Sequence, residues 1–307
     1  MSTWSRALDA AGITDPALRD DYTEQRVLVA GFKRSAYVAA RLLLPRPLVP
    51  HVIAATAFMH RSDNVLDEGP LDERTAAYAA WEKQVREGLD TGGSDEPVIR
   101  ALLHTMTAHP RLRGHVEDYL TTAAADLDFT GFATEADYQA YVDAYSLPAF
   151  MLVAGLLAPR DGDGPGGSEG YREACRTYID ASQRLDFVND LAEDLRDGRL
   201  TLPEEALAHH GVTRADLESA KDTDGTRALI REALDKARRT LDVSRGLVDR
   251  TPPAGRPLVR ALIRLDDLTL AAARAEGAGL LRASASPSAP SALRVLAREY
   301  LRARRLR

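Results

Sequence analysis

Residues 182–203 read SQRLDFVNDLAEDLRDGRLTLP, and this stretch decides the fold. Its apolar residues predict a helix on which Asp190 and Asp194, four positions apart, share one face. Like charges at that spacing repel, so such a face is stable only where a cation offsets the charge or where water covers it. Gly198 predicts the end of the helix, and Pro203 prevents its resumption.

A second pair of aspartates with the same spacing lies far upstream. Residues 61–68 read RSDNVLDE, in which Asp63 and Asp67 are four positions apart and follow the apolar run of residues 52–59. Two helices that each carry such a pair can face one another across a cavity. Oxygen ligands in that arrangement suit Mg²⁺, which favours carboxylates together with substrate phosphates. The two pairs therefore predict a diphosphate substrate, whereas either pair alone would be typical of a solvated helix face.

Composition and charge narrow the class of protein. The chain has 307 residues, of which 45% are hydrophobic and 28% charged, enough to bury a full core. The abundance of Ala, Leu and Arg predicts an all-α fold, and the net charge of −6 does not favour a nucleic-acid partner. The single cysteine, Cys175, cannot form an internal disulfide. We see neither a signal-peptide core nor a run of about 18 apolar residues, so we expect a soluble, cytoplasmic protein without a transmembrane segment.

The remaining chain predicts further helices and two irregular segments. Residues 134–157 form the most apolar predicted helix, which Pro148 should kink. A flexible lid loop is predicted at residues 159–170, PRDGDGPGGSEG. Residues 1–283 are predicted to form one helical domain, and residues 284–307 a Ser/Pro linker with a basic C-terminal helix. That helix can pack on the domain or touch an anionic membrane or a partner.

The aspartate motifs carry a resemblance to a known family. Residues 35–68 and 183–203 resemble the two signature regions of the squalene/phytoene synthase family, enzymes that ionise prenyl diphosphates, and residues 124–141 resemble its middle segment. The resemblance implies an all-α, single-domain helical bundle of the isoprenoid synthase type with a central cavity. It also implies two or three Mg²⁺ ions bound by the motif aspartates. The predicted metal ligands are Asp63, Asp67, Asp190 and Asp194, and the predicted catalytic set adds Asp186.

Other site residues follow from the same resemblance and from the distribution of aromatic residues. The predicted diphosphate contacts are Arg34 and Ser35, which follow Lys33 on a basic edge, together with Arg61, Gln183 and Asn189. The predicted walls around the allylic cation are Phe58, Tyr141, Tyr145, Phe150 and Phe187, because aromatic faces stabilise positive charge. An exposed cationic turn is the alternative for the basic edge, and ordinary core packing is the alternative for each aromatic residue. The adjacent Asp266 and Asp267 indicate a surface or pocket-edge pair without metal.

Departures from the family pattern point to a different second substrate. Residues 146–150, SLPAF, replace small residues that leave room for long isoprenoid chains, so we expect a shorter pocket. Asp186 and Asn189 replace an asparagine and an arginine, and loss of an arginine weakens the hold on a diphosphate. These changes alter the surroundings of the second substrate, so we expect one prenyl diphosphate donor, dimethylallyl diphosphate given the short pocket, and an acceptor of another kind. In these features the chain resembles the squalene-synthase-like prenyltransferases of bacterial alkaloid pathways, and this resemblance implies transfer to an aromatic carbazole- or indole-type acceptor in bacterial secondary metabolism. Asp186 is then a candidate base or orienting group for the acceptor.

Two other interpretations stay open at this point. The same metal site would support head-to-head condensation of two farnesyl or geranylgeranyl diphosphates to squalene, dehydrosqualene or phytoene. A catalytically silent homologue that binds prenyl diphosphate or a partner subunit is the third interpretation. The sequence does not decide the acceptor, the donor length or whether the chain forms a homodimer.

Overall fold

The described part of the chain is all-α, as the sequence predicts. The computed structural model describes residues 2–32, 34–160 and 167–305, so Lys33 and residues 161–166 of the predicted lid loop lie outside it. The α-helices are α1 (Thr3–Ala10), α2 (Pro16–Phe32), α3 (Arg34–Leu43), α4 (Leu48–Asp67), α5 (Leu71–Thr91), α6 (Pro97–Ala108), α7 (Leu112–Thr122), α8 (Glu135–Tyr141), α9 (Leu147–Ala154), α10 (Gly167–Asn189), α11 (Leu191–Arg196), α12 (Glu204–His209), α13 (Arg214–Glu218), α14 (Asp224–Ser244), α15 (Leu247–Arg250), α16 (Arg256–Glu276) and α17 (Ala289–Arg305). Short 3₁₀ segments lie at Ala123–Asp126, Gly155–Leu157 and Gly277–Leu281, and a π-helical turn lies at Val142–Ser146.

Helix α4 carries the first aspartate pair and lies in the centre of the fold. It packs against α2, α5, α6 and α9. Ala54, Ala55 and Ala57 are completely buried, and such small side chains allow neighbouring helices to approach closely. The helix ends at Asp67, and Gly69 follows in the left-handed region at φ +97°. Because the body of α4 is buried, its last turn holds the two aspartates in a fixed position.

The second aspartate pair lies at a break between two helices. We predicted one continuous helix through Asp190 and Asp194, but α10 ends at Asn189 and Asp190 has φ −97° and ψ 11°. The Asn189 side chain donates a hydrogen bond of 2.9 Å to the Asp190 carboxylate, a local contact of the kind that competes with helix geometry. The backbone N–H groups of Asp190 and Asp194 still donate to the carbonyls of Asp186 and Asp190. The carboxylates therefore stay close to their predicted arrangement.

The most apolar helical segment is irregular where the sequence predicts a kink. The π-helical turn at Val142–Ser146 directly precedes Pro148, whose missing N–H leaves the usual i→i−4 ladder incomplete. By length and composition alone, Glu135–Leu157 could cross a membrane. Its apolar window is 56% buried, and α9 packs against α4, α7 and α10. This packing is typical of a core helix in a globular protein.

A short backbone contact fixes the chain that follows α11. Gly131 and Leu200 form an isolated parallel bridge, and the Leu200 N–H donates to the Thr130 carbonyl at 2.8 Å. A Cβ atom on Gly131 would lie 2.8 Å from the Leu200 carbonyl oxygen, closer than real side chains come. Only glycine therefore fits at position 131, and the close approach fixes Arg199, the residue before Leu200.

The basic C-terminal helix α17 packs on the helical body against α16 and α3. Glu299 of α17 is completely buried and forms ion pairs with Arg260 at 2.8 Å and Arg302 at 2.5 Å. This packing agrees with the first of the two roles predicted for the helix. The domain boundary between residues 283 and 284 stays a prediction.

We predict that Glu299→Ala lowers the free energy of unfolding by about 2–4 kcal/mol, because it removes the buried partner of several arginines. Chemical denaturation measures the change. Glu218→Ala is the matched control, since Glu218 pairs with Arg214 at the surface and its loss should cost about 0.3–0.5 kcal/mol. Equal effects of the two variants would contradict the account of how α17 is docked.

Candidate active site

The first aspartate, Asp63, is held by two tyrosine hydroxyls. The Tyr145 O–H donates to Asp63 Oδ1 at 2.9 Å, and the Tyr119 O–H donates to the same oxygen at 3.2 Å. Both hydrogen bonds favour the ionised carboxylate, but burial outweighs them and raises the pKa of Asp63 to about 6. The site thus holds a carboxylate whose negative charge is only partly compensated.

An ion pair joins the two aspartate segments. Arg199 Nη2 donates to Asp67 Oδ1 at 2.8 Å, across 132 positions of sequence. Gly198 adopts φ +81°, and the Arg199 N–H donates to the Asp194 carbonyl at 2.8 Å. This turn directs the arginine towards α4. The end of α4 is therefore joined to the chain that follows α11.

Asp126 adds a further buried carboxylate on the side of the first aspartate pair. The Tyr141 O–H donates to Asp126 Oδ1 at 2.7 Å. Burial raises the pKa of Asp126, and the charge of Asp67 acts in the same direction, whereas Tyr141 and Arg199 oppose them. Asp128 is exposed, because residues two apart on a helical turn point in different directions.

The second aspartate pair is also partly buried and carries uncompensated charge. The Thr201 hydroxyl donates to Asp194 Oδ2 at 3.2 Å. Burial raises the pKa of Asp194 to about 6, and the charges of Asp190 and Asp186 contribute to the rise. Burial likewise raises the pKa of Asp190, although the hydrogen bond from Asn189 opposes it. A divalent cation would relieve the repulsion within this group.

The donor set fits Mg²⁺, which binds oxygen ligands and is commonly shared with phosphate groups. Among the described residues, no three of these carboxylates lie mutually within 4.8 Å. Mg²⁺ held by these aspartates would therefore take part of its oxygen ligands from water or from substrate phosphate. In the described part of the chain, the cluster that meets this spacing is the distant group His209, His210 and Glu232, whose carboxylate is already paired with Lys236 at 3.4 Å.

Two of the predicted diphosphate contacts lie on α10, and Asn189 is the one that contacts the second aspartate pair. Gln183 accepts a hydrogen bond of 3.1 Å from the Ser146 hydroxyl. Asn189 is buried, bonded to Asp190 on one side and accepting the Ala285 N–H at 3.0 Å on the other. The linker before α17 is therefore attached to the aspartate site. Asn189 has little capacity left for a phosphate oxygen.

The basic edge of α3 is not joined to the aspartates by any contact among the described residues. Arg34 and Ser35 are exposed in the first turn of that helix. Lys33, the first residue of the same predicted edge, lies outside the described residues. A diphosphate role for Arg34 and Ser35 stays a prediction.

Two predicted site residues on α4 lie away from the aspartate face. The Arg61 guanidinium lies 5.6 Å from the Trp81 ring of α5, and Phe58 is completely buried between Trp81 and Tyr119. At about 100° per residue, position 61 is about 160° around the helix from Asp63, and position 58 is about 140° away. Helical geometry therefore turns Phe58 into the core and places the exposed Arg61 against Trp81 of α5. We leave Arg61 and Phe58 out of the proposed site.

The other predicted wall residues divide into two groups. Tyr141 and Tyr145 lie beside the first aspartates through their hydroxyls, with ring centroids 5.4 Å apart. Phe150 is half-buried, 5.5 Å from the ring of Tyr178 in α10. Phe187 instead packs in an aromatic cluster that Tyr141 also contacts, with Phe129, Phe132 and Tyr138 as its other members.

The predicted surface or pocket-edge pair, Asp266 and Asp267, separates into an inner and an outer residue. Asp267 points outward and forms a bidentate ion pair with Arg245, at 2.8 and 3.1 Å. Asp266 points inward and accepts the Tyr178 O–H at 2.8 Å. Burial raises the pKa of Asp266 to about 7, and the charge of Asp186 acts in the same direction. Asp266 therefore faces α10 and does not belong to a surface pair.

Sequence reasoning missed several residues of the site. Tyr119, Thr201 and Arg199 contact the aspartates but belong to no spaced motif of their own. Arg199 had a local signal, since it follows the glycine that turns the chain back. Arg199 and Asp67 also line an open cleft of about 600 Å³ together with Arg74. Of the four predicted metal ligands, Asp67 lines this cleft.

Residues 29–291 match the family model described as squalene/phytoene synthase. The chain belongs to the squalene/phytoene synthase family. Its relatives include the bifunctional protein CrtB/UppS of Streptomyces coelicolor, 29% identical over 71% of this chain and 38% of that protein. Another is the 15-cis-phytoene synthase of Synechococcus elongatus, 28% identical over 72% of this chain and 73% of that enzyme. The chain thus spans well under half of the Streptomyces protein.

Solved structures of the family share the fold. The squalene synthase HpnC from Alicyclobacillus acidocaldarius superposes with a TM-score of 0.70 at 25% identity, covering 89% of this chain and 95% of that structure. A dehydrosqualene synthase in complex with ligand gives a TM-score of 0.79 at 20% identity, covering 93% and 98%. At 20% identity, the second likeness shows the fold alone.

The raised pKa values predict how pH and Mg²⁺ act together. A carboxyl with a pKa of about 6 in the folded chain and an ordinary value of 3.8 binds its proton more tightly when folded. Without Mg²⁺, these groups therefore favour the folded state at low pH, and this contribution is lost as pH rises through about 6. Mg²⁺ needs the ionised form, so it should raise Tm at about pH 7.5 and lose that effect near pH 5.

Thermal unfolding with and without Mg²⁺ measures both effects. The Asp63→Asn, Asp194→Asn double variant should lose most of the Mg²⁺-induced rise in Tm. A rise of the same size at both pH values would contradict the assignment of these carboxylates to metal.

Proposed function

We propose that this protein is a Mg²⁺-dependent prenyltransferase that ionises dimethylallyl diphosphate and transfers the prenyl group to an aromatic carbazole- or indole-type acceptor in bacterial secondary metabolism. The family supports the use of a prenyl diphosphate. The acceptor is inferred from polar side chains on α10. Tyr178, Ser182 and Asp186 follow one another at four-residue spacing and lead to Asp190 at the metal site.

The polar face of α10 is the observation that carries the aromatic acceptor. A head-to-head synthase must cover two long hydrocarbon chains, and an apolar chain laid along Ser182 and Asp186 would desolvate polar atoms without forming hydrogen bonds to them. An aromatic acceptor with an N–H or O–H group can form such a hydrogen bond. Phe150, beside Tyr178, further restricts the length of the pocket.

In the first step the C–O bond of the donor breaks, and the diphosphate leaves with the electron pair. The carboxylates of Asp63, Asp67, Asp190 and Asp194 would hold Mg²⁺. When bound, the ions neutralise the charge that develops on the leaving group. Arg199 supplies a fixed positive charge between the two aspartate segments.

In the second step a π-electron pair of the acceptor ring forms the new C–C bond with the allylic cation. The rings of Tyr145 and Phe150 supply apolar, electron-rich walls that exclude water from the cation. The ring carbon then loses its proton, which restores aromaticity. Asp186 or the released diphosphate accepts that proton.

Head-to-head condensation of two farnesyl or geranylgeranyl diphosphates is the second candidate function. The names of the relatives favour it, since they include 15-cis-phytoene synthase and squalene synthase. Asn189, bonded to Asp190 and to the Ala285 N–H, speaks against it, because this position offers no cation to a second diphosphate.

We predict that Asp194→Asn lowers Mg²⁺-dependent release of diphosphate from dimethylallyl diphosphate by about 10²-fold or more, since it removes a group that stabilises the departing charge. Mass spectrometry of the products, with carbazole and indole as acceptors and farnesyl diphosphate as the competing donor, distinguishes the two functions. Asp118→Asn, exposed on α7, is the control and should match the wild type. A C30 product without any prenylated aromatic would refute the aromatic acceptor.

Phe150→Ala tests the pocket length separately. Removing the ring opposite Tyr178 should lengthen the pocket and shift donor preference towards farnesyl diphosphate by about tenfold in the ratio of kcat/KM values. Competition between the two donors measures the ratio. Phe187→Ala is the control, because Phe187 packs in the aromatic cluster formed with Phe129, Phe132 and Tyr138. An equal shift in both variants would mean that Phe150 does not limit the donor.

A further inference from the structure

Asp266 of α16 lies where α16 faces the polar side of α10. Its carboxylate accepts the Tyr178 O–H at 2.8 Å, and the Ser182 side chain lies beside it. The charge of Asp186, one turn further along α10, is close enough to act on it. Asp266 thus belongs to the same interior surface as the polar side chains that lead to the metal site.

The partners of Asp266 distinguish it from a structural ion pair. Among the described residues, no lysine, arginine or histidine nitrogen lies within 4 Å of its carboxylate, whereas the neighbouring Asp267 is paired bidentately with Arg245. A carboxylate can accept about four hydrogen bonds. The observed hydrogen bond from Tyr178 therefore leaves capacity for a further donor, and a buried carboxylate without a cation gains much from one.

The position of Asp266 along α10 also suits a short donor. Ser182, which contacts Asp266, precedes Asp190 by eight residues, a rise of about 12 Å along a helix. That distance leaves room for a five-carbon prenyl group and an aromatic ring between the diphosphate and Asp266. A farnesyl chain laid along the same path would extend over Asp266 and cover it with hydrocarbon.

We propose that Asp266, oriented by Tyr178, binds the N–H or O–H group of the aromatic acceptor and thereby selects which ring carbon meets the allylic cation. This inference rests on the proposed function. In this arrangement Asp266 recognises the acceptor, and Asp186 lies on the side of the pocket nearer the metal site. A role in holding α10 and α16 together would instead affect stability and all substrates alike.

The test compares two probes that differ only in the N–H group, carbazole and N-methylcarbazole, with dimethylallyl diphosphate and Mg²⁺. Asp266→Leu removes the acceptor oxygens at similar volume, and Asp266→Asn keeps one oxygen acceptor. Asp267→Leu is the matched control, since Asp267 points away from α10. Thermal unfolding of each variant verifies that it is folded. If Asp266→Leu does not fold, Asp266→Asn supplies the comparison of the two probes.

We expect the wild type and Asp267→Leu to prefer carbazole over its N-methyl analogue. Asp266→Leu should raise the KM for carbazole about tenfold, the loss of one hydrogen bond to a charged group, with little change for N-methylcarbazole. Asp266→Asn should keep part of the preference. Asp267→Leu should leave Mg²⁺-dependent release of diphosphate from the donor within about twofold of the wild type, because Asp267 pairs with Arg245 and contacts neither substrate.

Two results would overturn the inference, and they differ. If the wild type prenylates carbazole but Asp266→Leu retains the preference for the N–H probe, Asp266 does not bind the acceptor and the proposed function stands. If the wild type forms no prenylated aromatic and instead joins two farnesyl groups, the proposed function fails together with the inference. Product analysis of the wild type alone identifies the second case.

Discussion

The cost of holding several carboxylates together below the surface is the constraint on which the rest of this structure depends. Asp63 and Asp194 each have a pKa raised to about 6, because burial outweighs the hydroxyl groups that bond them. Arg199 joins the two aspartate segments but neutralises only part of the charge. The folded chain therefore carries uncompensated negative charge at the end of α4 and the start of α11, which bound cations would neutralise.

The surrounding helices hold the carboxylates in place, so the side chains cannot simply move apart to relieve their repulsion. Helix α4 is buried on several sides, and the π-helical turn brings Tyr145 to Asp63 while a buried Tyr141 holds Asp126. The close backbone contact at Gly131 fixes the chain beside Arg199. Such a preorganised group of charges costs little to reorganise when a diphosphate departs, which is the physical basis of electrostatic catalysis.

Much of this arrangement could be predicted from sequence because it depends on local spacing. The four-residue intervals placed each aspartate pair on one face, and Gly198 marked the end of the second helix. The break at Asp190 was not predictable from periodicity, since it depends on the side chain of Asn189 bonding its neighbour. Arg61 was assigned to the site because of its position in the family motif. It lies two positions before Asp63, however, and residues two apart on a helix point to nearly opposite sides.

Contacts between helices that are far apart in the sequence could not be predicted from the sequence. Asp266 and Asp267 are adjacent and chemically identical, yet one faces α10 and the other pairs with Arg245 at the outside. Their difference arises from how α16 is rotated against its neighbours, a property of packing. The same holds for Arg199, whose partner Asp67 is 132 positions away.

The most direct test of the central claim is a crystal structure with Mn²⁺ and a thiolodiphosphate analogue of the donor, with the ions located by anomalous scattering. We predict peaks between the two aspartate segments, with ligands from both Asp63 or Asp67 and Asp190 or Asp194, and with the diphosphate bridging them. Peaks confined to one segment, or found only at His209, His210 and Glu232, would contradict the account.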